Sequence, residues 1–237
     1  MSLDIEAELP HRVTAKPRSP AKARLMIVED HPIFREGLCK VLDSETDFAV
    51  CGQAASASEA LTLIPRLKPD LVIVDLTLAQ SSGIDLIKDL EARWAGLPVL
   101  VLSNHDETLY AERCVRAGAR GYVMKNHPPQ ELIAAVHDAL NGKYHLSGAM
   151  TNRLLSKLSL GIKTGESSPV QLLSNRELQV FEWYGKARTT GQIADLLHLS
   201  VKTVESHRDR IKEKLQFEDS ASLVRAAVQW VESQNGL

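Results

Sequence analysis

Unbroken apolar runs recur through the first half of the chain: LMIV (25–28), FAVCG (48–52), LVIV (71–74), VLVL (99–102) and GYVM (121–124). A half-solvated strand would alternate apolar and polar positions, so continuous runs suit strands buried on both faces, as in a parallel sheet covered by helices. The intervening segments carry helix-end signals. Ser56 followed by Glu59 is a capping box for a helix over Ala57–Leu67, closed off by Pro69, and Asp106 opens another that ends near Gly118. Five strands alternating with five helices predict a doubly wound, five-stranded parallel α/β domain over residues 24–143.

The pattern changes after Gly142. A linker is expected over 144–169, with a short helix at Met150–Leu158 followed by an exposed Gly/Lys/Ser/Pro run. Beyond it the period is helical throughout and predicts an all-α domain over 170–237, with helices at Ser174–Tyr184, Thr190–Leu197, Val201–Leu215 and Ala221–Val231. Ser174 with Glu177 and Thr189 with Gln192 are further capping boxes. In the third helix Val204, Ile211 and Leu215 form a buried stripe, and in the second Ile193, Leu196 and Leu197 form an apolar face. Residues 1–23, rich in Pro, Lys, Arg and Ala without periodicity, read as a flexible extension.

Composition narrows the classes. The chain has 237 residues, 24% of them charged, and a net charge of −2. No run approaches the roughly 20 apolar residues that span a bilayer, and the first residues lack the order of a signal peptide, so a cytoplasmic protein without membrane attachment is expected. Cys39, Cys51 and Cys114 are widely spaced and read as buried small hydrophobes rather than a disulfide or metal framework. Charge is unevenly placed. Residues 25–150 hold 11 basic against 17 acidic side chains, residues 170–237 hold 9 against 9, and the segment 200–214 holds 5 against 3. An acidic front half and one locally basic helix behind it suggest different partners for the two domains.

Open α/β sheets bind ligands at the carboxyl ends of their strands. Those ends carry Glu29 and Asp30 after the first strand, Asp75 after the third, Ser103 after the fourth and Lys125 after the fifth. Clustered carboxylates repel one another unless a cation is present, and an all-oxygen set favours Mg²⁺. The fitting chemistry is phosphoryl transfer to a carboxylate, with Asp75 as nucleophile, Glu29 and Asp30 holding the metal, and Ser103 and Lys125 binding phosphoryl oxygens.

The blocks LMIVEDHPIFREGL, PDLVIVDLTLAQSSG, VLVLSNHD and AGARGYVMKN resemble, in order, the signatures of a response-regulator receiver domain of flavodoxin-like fold. The resemblance implies that Asp75 accepts a phosphoryl group from a histidine kinase, with Mg²⁺ held by Glu29, Asp30, Asp75 and the carbonyl of Thr77. It also implies a switch in which Ser103 moves and Tyr122 changes rotamer. Leu78-Ala79 replaces the usual Met-Pro, Asn126 replaces a common Pro, and Glu29 stands where Asp is commoner. Thr77 and His105 occupy positions that tune dephosphorylation in the family.

The strings LSNRELQVFEW and GQIADLLHLSVKTVESHRDRIKEKL resemble a LuxR-type helix-turn-helix, which places the whole chain with the NarL/FixJ response regulators. By that resemblance the recognition helix is Val201–Gln216. Glu205, Ser206 and Asp209 read bases, Lys202, Thr203, His207, Arg208 and Lys212 lie near the DNA backbone, and the final helix carries a homodimer contact on activation. Two acids on the reading face weaken monomer binding, so promoter DNA with paired half-sites is expected. Trp183 and Trp230 read as core or dimer-interface residues. Two alternatives remain. In one, the receiver controls protein–protein interaction through a helical domain with weak or no DNA binding; in the other, Asp75 serves a metal-dependent phosphatase, for which a second carboxylate close behind it is missing.

Overall fold

The computed structural model describes residues 22–78, 81–159 and 169–235. Most of the expected N-terminal extension, Ala79, and the linker run at 160–168 therefore lie outside the described residues. The first half comprises β1 (Ala23–Val28), α1 (Pro32–Asp43), β2 (Phe48–Ala54), α2 (Ala57–Leu67), β3 (Leu71–Val74), β4 (Thr77–Leu78), β5 (Ser81–Ser82), α3 (Gly83–Arg93), β6 (Val99–Ser103), α4 (Glu107–Ala117), β7 (Gly121–Met124) and α5 (Pro129–Leu140). Each expected apolar run is a strand of one parallel sheet, in the order β2-β1-β3-β6-β7. β1 starts one residue before the expected domain start at Arg24, because Ala23 already pairs with Phe48.

Alternation along each strand splits the core in two. Leu25, Ile27, Leu71, Ile73, Leu100 and Leu102 pack with α1 and α5. Met26, Val28, Val72, Val74, Val99 and Val101 pack on the other face, and that cluster continues without a break into Met150, Leu173, Leu178 and Phe181 of the second half. Only Cys114 is buried as expected; Cys39 on α1 and Cys51 on the edge strand β2 are half-buried.

The second half runs α6 (Gly148–Ser159), a 3₁₀ turn (Pro169–Leu172), α7 (Asn175–Gly185), α8 (Thr190–Leu196), α9 (Val201–Leu215) and α10 (Ser220–Asn235). Both expected capping boxes form, Ser174 with Glu177 and Thr189 with Gln192. Glu177 also accepts from Lys214 Nζ at 2.6 Å and so ties α7 to α9. Val204 and Ile211 are fully buried, whereas Leu215 is half-buried. Leu196 departs from the expected apolar face: it is 41% exposed and turned toward the first half.

The hairpin β4–β5 was not legible in the apolar pattern. It pairs Thr77 with Ser82 and closes the loop behind Asp75. Gly83 makes this possible, since a Cβ there would lie 2.1 Å from the Asp75 carbonyl oxygen and 2.7 Å from Leu76 Cα. Gly83→Ala must push the Asp75 loop outward. Overpacking of this kind costs about 2 kcal/mol, which thermal melting should show as a lowered Tm, together with impaired chemistry at Asp75.

Candidate functional site at the carboxyl edge of the sheet

The parallel register aligns the ends of β1, β3, β6 and β7, so the residues that follow them share one rim. Asp75 is held there by its own N–H, which donates to the Val28 carbonyl at 2.9 Å. Lys125 is placed likewise by a backbone bond to the Ser103 carbonyl, 2.8 Å. Its Nζ reaches Asp75 Oδ2 at 2.8 Å and Glu29 Oε2 at 2.7 Å. Asp75 is 3% and Glu29 1% exposed. Burial pushes the Asp75 carboxyl up to about 6; Lys125 opposes the shift and Glu29 adds to it. Lys125 is raised, its two carboxylate partners outweighing burial.

Asp30 completes the acidic cluster differently. Both of its carboxylate oxygens are buried without a hydrogen-bond partner. Its nearest polar neighbours are two imidazoles, His31 Nδ1 at 2.9 Å and His198 Nε2 of the second half at 3.6 Å. Glu29, Asp30 and His31 offer ligand atoms within 4.8 Å of one another. A buried carboxylate with free lone pairs, beside two others that share a single ammonium, fits a hard divalent cation with oxygen ligands.

The expected switch residues are adjacent and bonded to each other. Ser103 is fully buried and its Oγ accepts the His105 N–H at 3.1 Å, while Tyr122, 3% exposed, donates its hydroxyl to the His105 carbonyl at 2.7 Å. Thr77 Oγ1 lies 3.1 Å from His105 Nε2. His105 is thus the residue on which the hairpin behind Asp75, Ser103 and Tyr122 converge.

The second half lies across this rim. Glu182, in the middle of α7 and 1% exposed, accepts at Oε2 from His105 Nδ1 (3.0 Å) and from the Tyr110 hydroxyl (2.7 Å), and at Oε1 from Lys186 Nζ (2.6 Å). Burial alone would raise this carboxyl, but His105 and Lys186 hold it at about 2. On the outer side of α4, Arg113 donates to the carbonyls of Val170 and Leu173 and to Asn175 Oδ1. Between the halves a cavity of about 390 Å³ has Asp75, Thr77, His105 and Lys125 on one wall and Trp183, Lys186, Leu196 and His198 on the other. Trp183 is therefore half-buried at the boundary between the two halves.

On α9, Lys202, Glu205, Ser206 and Asp209 are exposed, whereas Thr203, His207, Arg208 and Lys212 are half-buried. Several of these are partly engaged locally: Thr203 Oγ1 pairs with the capping Ser200, Ser206 Oγ bonds the Lys202 carbonyl, and Asp209 Oδ1 lies 3.0 Å from Lys212 Nζ and 3.9 Å from Arg208 Nε. Sequence reasoning missed Glu182, Tyr110, Arg113 and His198. The one local signal was an acid set between Phe181 and Trp183 on an otherwise apolar helix face.

Comparison with known proteins gives this geometry its context. Residues 25–137 match the response regulator receiver domain, and residues 171–227 match the bacterial regulatory proteins of the luxR family. NreC, an oxygen regulatory protein of Staphylococcus carnosus, is 30% identical over 86% of this chain and 96% of its own. The transcriptional regulatory protein DegU of Brevibacillus brevis is 28% identical over 89% of this chain and 95% of its own. Among solved structures, RcsB of Salmonella enterica serovar Typhimurium, bound to the rprA promoter with the phosphomimetic BeF₃⁻, superposes with a TM-score of 0.56. It shares 26% identity over 86% of this chain and 97% of its own. A LuxR-family two-component response regulator from Aurantimonas superposes with a TM-score of 0.54 at 32% identity, covering 59% of this chain and 99% of its own. A receiver fold followed by a LuxR-type helix-turn-helix, matched over 86–89% of this chain by regulatory proteins, makes this chain a member of the NarL/FixJ-type two-component response regulators.

Proposed function

We propose that Asp75 is the phosphoacceptor and that its state controls sequence-specific DNA binding by the second domain. The observation that carries this reading is the buried Asp75 carboxylate, paired with Lys125 at 2.8 Å and flanked by Glu29 and Asp30. A histidine kinase would present the phosphoryl group, the bond from phosphorus to the donor would break, and a bond to an Asp75 oxygen would form. Lys125 and the Ser103 hydroxyl would then face the new phosphoryl oxygens. Glu29, Asp30, Asp75 and the Thr77 carbonyl would hold Mg²⁺, which supplies charge neutralisation there. An apolar groove lined by Phe34, Leu38 and Pro128, with Ile33 beside it 88% exposed, offers the kinase an approach to this rim.

The exposed face of α9 would enter the major groove, with Lys202, Arg208 and Lys212 toward phosphates and Glu205, Ser206 and Asp209 toward base edges. Hindrance by the receiver would fall on dimerisation and not on this helix. The reading face is open, and the receiver instead meets α7 and α8 and shares a cavity with Trp230 of α10. Docking would thus limit α10, the helix through which a homodimer on paired half-sites would form. Among the described residues no helix is long and apolar enough to cross a membrane, and we place the protein in the cytoplasm.

Incubation with acetyl phosphate and Mg²⁺ should add one phosphoryl group to the intact mass of the chain and none to Asp75→Ala; equal labelling of both overturns Asp75 as acceptor. In metal-free buffer the raised Asp75 carboxyl binds its proton more tightly folded than unfolded. Folding stability should therefore fall as pH rises from about 4 through about 6. Asp75→Asn should lose this slope, gaining on the order of 3 kcal/mol relative to wild type across that window, as read by chemical denaturation. A mobility shift with promoter DNA should weaken steeply with salt, by several Lys/Arg–phosphate contacts' worth of counterion release. No shift at low salt would favour the protein-interaction output instead.

A further inference from the structure

Glu182 is the most deeply buried carboxylate among the described residues of the second domain, and it turns one oxygen, Oε2, to the receiver. Holding the domains together does not require it. Arg113 already makes three hydrogen bonds across the same boundary, and an apolar cluster is continuous between the two halves. What Glu182 alone does is orient one ring. A carboxylate only accepts, so the His105 proton sits on Nδ1, and in the neutral ring Nε2 is left as an acceptor toward Thr77 Oγ1 at 3.1 Å. His105 and Thr77 both line the cavity that Asp75 shares. Carboxylate, imidazole and a hydroxyl beside an electrophilic centre form the arrangement by which a fixed imidazole aims an oxygen nucleophile.

We propose that Glu182 is a positioning residue for loss of the phosphoryl group: by fixing His105 from the second domain, it lets Nε2 hold the Thr77 hydroxyl, whose oxygen lone pair faces the water that hydrolyses phospho-Asp75. The inference rests on Asp75 being the phosphoacceptor. In the step, a water oxygen forms a bond to phosphorus as the bond from phosphorus to the Asp75 oxygen breaks. The electron pair returns to the Asp75 carboxylate, and both water protons leave on dihydrogen phosphate. The cavity of about 390 Å³ has room for phosphoryl group and water together. Ionisation of Glu182, held at about 2, keeps the orienting bond in place at neutral pH. The docked chain thereby erases its own mark, and a chain whose second domain has swung away retains it.

The test follows the decay of phosphoryl-Asp75 in the full chain by intact mass, after loading with acetyl phosphate and Mg²⁺ and removal of the donor. Loading itself reports that each variant is folded. Glu182→Ala and His105→Ala should each lose the label roughly tenfold more slowly than wild type. The double variant should be no slower than His105→Ala, because Glu182 acts through that ring. Tyr110→Phe, which removes a neighbouring interdomain bond and leaves His105 held, should decay as wild type does. Unchanged decay in Glu182→Ala, or a Glu182 effect that persists without His105, overturns the proposal with Asp75 intact as acceptor. Failure of every chain to label overturns the phosphoacceptor reading and this one with it.

Discussion

Convergence of negative charge at one end of the sheet is the constraint around which the molecule is arranged. Parallel pairing in register brings Glu29, Asp30 and Asp75 to one rim, and each is largely buried. A single ammonium, Lys125, is shared by two of them. The third meets two histidines, one from each half of the chain. Repulsion among these groups is left partly unrelieved, and the upward shift of Asp75 expresses it. A site strained in this way favours whatever brings positive charge to it, which is the property a metal-dependent phosphoacceptor needs.

The same rim explains why the second domain rests where it does. Beside the apolar cluster that the halves share, it brings a set of charged and hydrogen-bonding groups to the boundary: Glu182 on His105 and Tyr110, His198 on Asp30, Lys186 on Glu182. Lys186, His198 and His105 line one cavity with Asp75. Ser103 and Tyr122 reach the same boundary, since both bond to the His105 backbone.

Much of the scaffold was legible because it is written locally. Apolar runs gave the five main strands, and the pairs Ser174/Glu177 and Thr189/Gln192 marked helix starts that the structure forms as expected. Asp75, Lys125 and Ser103 followed from the rule that strand ends carry the ligand site. What escaped was set by contacts distant in sequence. The β4–β5 hairpin depends on the absence of a side chain at Gly83 against the Asp75 backbone. Leu196 read as part of an apolar helix face and Trp183 as a core or dimer-interface residue, and both become boundary residues where the helical domain meets the receiver. Glu182 finds its partners more than 70 residues away, at Tyr110 and His105, where no local pattern points.

Coupling between the two halves is reciprocal by thermodynamic necessity. If the phosphoryl group at Asp75 disfavours the docked arrangement, then holding the second domain elsewhere must favour the phosphoryl group by the same free energy. The structure gives that coupling a short physical path, from Asp75 through the Thr77 hairpin to His105 and on to Glu182. Such a path works in both directions: it lets a modified acid loosen a helix, and it lets a docked helix influence the chemistry of the acid. DNA that captures the second domain would, on this argument, also protect the signal that released it.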